Sequence, residues 1–269
     1  MSDQVKKFEA LLKKVQKKYQ VEEIPPRDAV AQMIVGFLQW EATREKAEDA
    51  FGKLMEAMVD VNELRVTHNH MLVDLIGKEY PFAEERIIRL REALNAVYAI
   101  EHAVVMKSID GKGKKEQKAY LEALPAVPAY VQSYLMLTCF AGHAMPVDRR
   151  LGYLLEKEGA VDDGGDLPAV ESFLLKQVKA SDCLEAHLAL QAWADDQKIT
   201  ALKMKTTVID VEDKSKKSAK KKKTAKKAAA KKEAEASEDK KAAKKTAAKK
   251  TAAKKSSSKQ TKKKTSKKK

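Results

Sequence analysis

The sequence has only two cysteines in 269 residues, Cys139 and Cys183. Both lie in apolar, helix-like runs, which points to buried thiols in a reducing compartment and excludes a disulfide framework. No apolar run approaches the ~20 residues of a membrane span; the longest, around 133–142, is about half of that. The opening stretch MSDQVKKFEALLKKVQKKYQ interleaves lysine with apolar residues and has no apolar core followed by small residues, so it does not read as a signal peptide. The expected setting is intracellular, in the cytoplasm or nucleoid of a bacterium or the nucleus of a eukaryote, with no membrane association. Period-two alternation is missing before KTTVIDVED (205–213), which is too short to build a sheet.

What is scarce in the last stretch is more telling. Residues 214–269 contain no arginine, no aromatic and no large aliphatic residue, but 26 lysines against four acids, a net +22. The whole chain carries 54 basic and 39 acidic residues, so 1–213 holds 28 basic and 35 acidic residues, a net −7. The entire basic surplus lies in the tail. Such a segment cannot bury enough apolar surface to offset chain entropy and is expected to be disordered when free. Lysine at this density meets polyanions by counterion release, without reading sequence. The absence of interleaved aromatics argues against stacking on single-stranded bases, and the absence of arginine against bidentate guanine readout. DNA is the expected partner, chiefly through 214–269, with RNA the alternative polyanion; protein partners are not specified. The five-residue repeat KKAAKKTAAKKTAAKK (240–255), with Lys244, Lys245, Lys249, Lys250, Lys254 and Lys255, resembles the C-terminal domain of linker histones.

The rest reads as helices. Phe8, Leu11, Leu12, Val15 and Tyr19 recur at helical spacing. Asp28 is placed to cap AVAQMIVGFLQW, which is apolar almost all round, as in a helix buried inside an α-helical body. Further helical segments follow, punctuated by Pro, Gly or Asp. The expected organisation is an N-terminal amphipathic helix (1–26), an all-α body (27–200), a linker (201–213) and the tail (214–269). Asp60 with Glu63 reads as a capping box. His68 and His70, two apart in THNH, would point away from each other on a helix, so no metal site is expected; no cofactor is expected either.

The segment LEALPAVPAY (121–130) is a tight helix–turn–helix. Pro125 ends the first helix at Leu124, Pro128 suits the first turn of the next, and Val127 is placed to tuck between them. About twenty residues on, Val147–Asp148 precedes RRLGYLL. This layout resembles the helix-hairpin-helix DNA glycosylases of the endonuclease III superfamily, whose hairpin reads LPGVGxKTA and whose later pair reads VDTH. FLQWEAT (37–43) is similar to the family's Q-A-T segment, with Glu41 at the glutamine, and 169–193 is similar to its helix pair after the aspartate. The resemblance covers most of 27–195 and implies an all-α, two-lobed body in which Ala126, Val127 and Ala129 form the DNA-facing turn.

The departures matter as much. Ala126 and Pro128 replace both hairpin glycines, and Pro128 has no N–H to offer a phosphate. The lysine nucleophile of bifunctional members falls at Tyr130, whose phenol cannot form a Schiff base, so lyase activity is not expected. The four-cysteine Fe–S motif is absent. Asp148 is the residue that some members use alone to stabilise an oxocarbenium-like sugar and assist water; on residue type and position it is equally a helix N-cap. Arg149 and Arg150, with the lysines of DGKGKKEQK (110–118), are candidates for a basic rim, whereas Glu41 adds negative charge where a duplex would enter. The resemblance implies a DNA-binding, repair-related protein without lyase activity. Two forms remain open: a non-catalytic or DNA-compacting descendant held on DNA by its tail, and a monofunctional glycosylase using Asp148.

Overall fold

The computed structural model describes residues 3–19, 23–162, 166–197 and 199. The expected linker (201–213) and tail (214–269) lie outside the described residues. Eleven α-helices and two short 3-10 turns make up the body, and no strand occurs among the described residues. None of these helices is long and apolar enough to cross a membrane.

The centre is α2 (Ala29–Gln39). Asp28 caps it, its carboxylate accepting from the amides of Val30 and Ala31, and nine of its residues are buried. Around it pack α3 (Arg44–Ala57), α6 (Ala83–Glu101) and α8 (Ala129–Thr138). Gly36 makes the α2–α8 approach possible, because a Cβ there would lie 2.9 Å from the Tyr134 ring. The short helices α4 (Val61–Val66) and α5 (Asn69–Ile76) dock on α6, and α7 (Lys114–Ala123) packs on α8.

The two ends of the described chain form the other side. Helix α1 (Asp3–Lys18) lies on α11 (Cys183–Asp196), and α9 (Arg149–Lys157) contacts α10 (Leu167–Gln177) and α11. Helix α11 also touches α3 and α8, joining both sides. Phe8, Leu11 and Val15, on the apolar face of the N-terminal helix, are buried in the common core. Cys183 is buried, Cys139 partly so, and both are free thiols.

Half of the expected capping box forms: Asp60, the N-cap of α4, accepts from the Glu63 amide at 2.7 Å, but Glu63 accepts from the amide of Val59 (2.6 Å), one residue before the cap, rather than from that of Asp60. The histidine pair does not follow the expected geometry. His68 is the residue before α5, with extended backbone, so its ring is free to stack on His70 with centroids 5.7 Å apart. No group of three metal-ligating side chains occurs among the described residues.

Candidate functional site

The helix–turn–helix is built by its two prolines. Helix α7 stops at Leu124, which is extended ahead of Pro125, and Pro128 stands at the N-cap of α8. Between them Ala126 takes φ 63°, the left-handed conformation that glycine adopts without steric cost. The corner therefore has a glycine-type backbone without the glycine. Leu124 and Val127 are buried, and Gln132 donates to the Val127 carbonyl at 3.1 Å. No side chain caps α8, so the first-turn amides, beginning at exposed Ala129, are left at the helix end.

Tyr130, one residue into α8, turns inward. Its ring is buried and stacks on Tyr134 with centroids 6.1 Å apart, while its hydroxyl finds no partner. Burial, reinforced by the negative charge of Asp148, pushes the phenol well above its ordinary pKa. Tyr134 is anchored by Gln32, whose amide donates to its hydroxyl at 2.6 Å. Both rings lie against His187 of α11, at 6.5 and 6.1 Å. His187 is fully buried with neither ring nitrogen partnered, and burial lowers its pKa to about 4 against the opposing pull of Asp148.

Asp148 is the N-cap of α9 and is 1 % exposed. One oxygen accepts from the Leu151 amide and the other from Arg150 Nε, both at 2.8 Å. Arg150 in turn donates from Nη1 to Asp195 at 2.9 Å. Asp195, on α11, also accepts from the Arg44 amide at the start of α3 (2.8 Å) and from Gln191 (3.0 Å). Burial alone would lower the Arg150 pKa, but the two carboxylates outweigh it and raise it. Burial raises that of Asp195. The chain Asp148–Arg150–Asp195–Arg44 ties α9, α11 and α3 together.

Arg150 was expected on a basic rim; it is instead 1 % exposed, because its Asp148 and Asp195 partners both lie inside. Arg149 does reach the surface, resting 4.8 Å over the Phe82 ring. Its amide and its Nε both donate to one oxygen of Glu41 at 3.0 Å. Glu41 lies buried between α2 and α3 at φ 60°, and its other oxygen is unpartnered. Burial, then the nearness of Asp148, raises its pKa. Of the loop lysines, Lys114 bonds inward to the Phe140 carbonyl, while Lys112, Lys115 and Lys118 are exposed.

Sequence reasoning missed Arg86 and Asp195, and took His187 only for a satisfied core or surface residue, whereas it is buried without a hydrogen-bond partner. Arg86 is fully buried and directs its guanidinium at carbonyls of the last turn of α2, bonding Leu38 at 3.1 Å, and at Pro81, at 2.8 Å. It satisfies acceptors that the helix end leaves open. Desolvation lowers its pKa to about 10. A signal was present: Arg86 shares the inner stripe of α6 with Leu90, Ala93, Leu94 and Val97, and a charge in an apolar stripe marks a buried partner.

No family model matches the sequence, and no curated protein does. Solved structures do. Endonuclease III trapped as a covalent intermediate with DNA aligns at TM-score 0.56 over 72 % of this chain and 86 % of that one, at 14 % identity. The body has the endonuclease III-like helix-hairpin-helix glycosylase fold. A thermostable thymine-DNA glycosylase aligns at 0.50 over 70 % of this chain and 86 % of that one, at 18 % identity. The H. pylori 3-methyladenine DNA glycosylase bound to 1,N6-ethenoadenine aligns at 0.53 over 74 % of this chain and 99 % of that one, at 14 % identity. In this body Asp148 stands at the start of α9, the helix that follows the α7–α8 corner and α8.

Proposed function

We propose that the chain is a DNA-binding, repair-related protein whose endonuclease III-like body does no glycosylase or lyase chemistry, with the lysine-rich tail as its main tether. One observation carries the reading: Asp148 is 1 % exposed and both its oxygens are engaged, by Leu151 N and Arg150 Nε. A carboxylate that stabilises a sugar cation or assists water must touch them. This one faces a guanidinium instead. Tyr130 supplies no substitute, being a buried phenol held in its neutral form. The neighbouring solved structures, several of them DNA complexes, support duplex as the partner. The left-handed corner at Ala126 and the uncapped amides of α8 offer a phosphate a helix N-terminus even without a donor at Pro128. The tail reading rests on its 26 lysines.

The test is base release from a panel of damaged and mismatched duplexes, run beside duplex binding by the full-length protein. Expected are salt-steep binding, no preference for any lesion and no abasic product. Base release that disappears in Asp148→Asn would establish the glycosylase reading in its place.

A further inference from the structure

The outward face of α1 belongs to no part of the hairpin or the Asp148 cluster. The helix carries six lysines against two acids, Asp3 and Glu9, within a body segment (1–213) of net −7. At 100° per residue, Lys6, Lys13 and Lys17 fall within about 40° of one another, and all six lysines within about 140°. All six are exposed. Lys7 pairs with Asp3 at 2.8 Å and Lys18 with Asp196 at 3.0 Å. Lys6, Lys13, Lys14 and Lys17 make no ion pair among the described residues.

The opposite face fixes the helix in place. Phe8, Leu11 and Val15 are buried, Phe8 meeting Phe173 edge-on at 5.8 Å. Tyr19 donates to Asp196 at 2.6 Å and Gln16 to Glu185 at 3.4 Å. The lysines are therefore presented as a fixed array rather than on a fraying end.

We propose that this face is a second duplex-binding surface, one that grips the phosphate backbone without reading sequence. Charge complementarity selects a polyanion. A lipid surface needs a free apolar face to insert, and that of α1 is spent on the core. Single strands need exposed aromatics for stacking, and Tyr19, the aromatic beside this face, is tied to Asp196. A duplex backbone needs only spaced cations. From Lys6 to Lys17 the helix runs ~16 Å, a length over which duplex DNA presents about ten charges.

The test is the slope of log affinity against log salt for a short random-sequence duplex, with the full-length protein and folding checked by circular dichroism. Removing three phosphate contacts by Lys6→Gln, Lys13→Gln and Lys17→Gln together is expected to make the slope shallower by about 3. The same charge loss at Lys46, Lys53 and Lys78 is expected to leave it unchanged. Equal effects of the two triple variants overturn the proposal, because net charge alone would then explain them. So does an unchanged slope in the α1 triple variant, including the case where that variant loses instead the binding of phosphatidylserine vesicles. Wild-type protein that fails to bind duplex at all brings down the tail-tethered reading as well, which separates the two failures.

Discussion

Arg150 closes over Asp148: Nε to Oδ2 is 2.8 Å, and each side chain is 1 % exposed. A buried charge is tolerated only when paired and hydrogen-bonded. Here the pair is extended through Asp195 to the amide of Arg44. Asp148, which the sequence resemblance matches to the family's aspartate, thus has a measurable structural duty.

Asp148→Asn is expected to destabilise the protein by about 3 kcal/mol, since it leaves Arg150 buried with Asp195 as its remaining carboxylate. Arg150→Met should cost a similar amount. If the two act as a pair, the double variant costs less than the sum of the singles by at least about 1 kcal/mol. Urea unfolding followed by circular dichroism reads all three. Strict additivity would show that Arg150 does not hold Asp148.

His187 should set part of the acid limb of stability. Its folded pKa is about 4 against 6.5 for the free side chain, so the unfolded state takes up this proton first. The stability is complete above about pH 6.5 and is lost as pH falls towards 4, by about 3 kcal/mol in all. In His187→Leu the fall across this window should be shallower by about that amount. A difference profile that is flat between these limits refutes the assignment.

Glu41 carries the opposite sign. Its folded pKa is raised above 4.5 by burial and then by Asp148, so its contribution is most favourable below pH 4.5 and is lost as pH rises through the folded value. Glu41→Gln keeps an oxygen for Arg149 and removes the desolvated charge. The variant is expected to be more stable than wild type at pH 7 and to lose that advantage in acid. Equal stability of the two at both pH values would count against a raised pKa.

Ala126 holds φ 63° at the hairpin corner. Ala126→Gly should relieve the left-handed strain and stabilise the protein by about 1 kcal/mol, net of the added freedom of the unfolded chain. A lower melting temperature in the variant would mean that the methyl group does more by packing than it costs in strain.

Much of the fold was legible because its signals are local. Asp28 before an apolar run, Asp60 three residues ahead of Glu63, and Pro125 and Pro128 around a two-residue corner each act within one turn of chain. The resemblance to the family's hairpin and aspartate motif rests on signals of the same kind, short patterns at a fixed spacing. Asp148 as an N-cap was in plain view.

The rest depends on groups brought together from distant positions. Arg150 follows two residues after Asp148 and reads as surface charge, but Asp195, 45 residues on, draws it inward. His68 and His70 stack because a helix begins one residue later than their spacing suggests. The sequence by itself determined an all-helical body, its corners and a tail of lysine, since propensity, caps and charge density are properties of neighbouring residues. Only the tertiary structure decided that the aspartate is sealed beneath an arginine. Burial and charge pairing depend on which helices meet, and no local pattern states that.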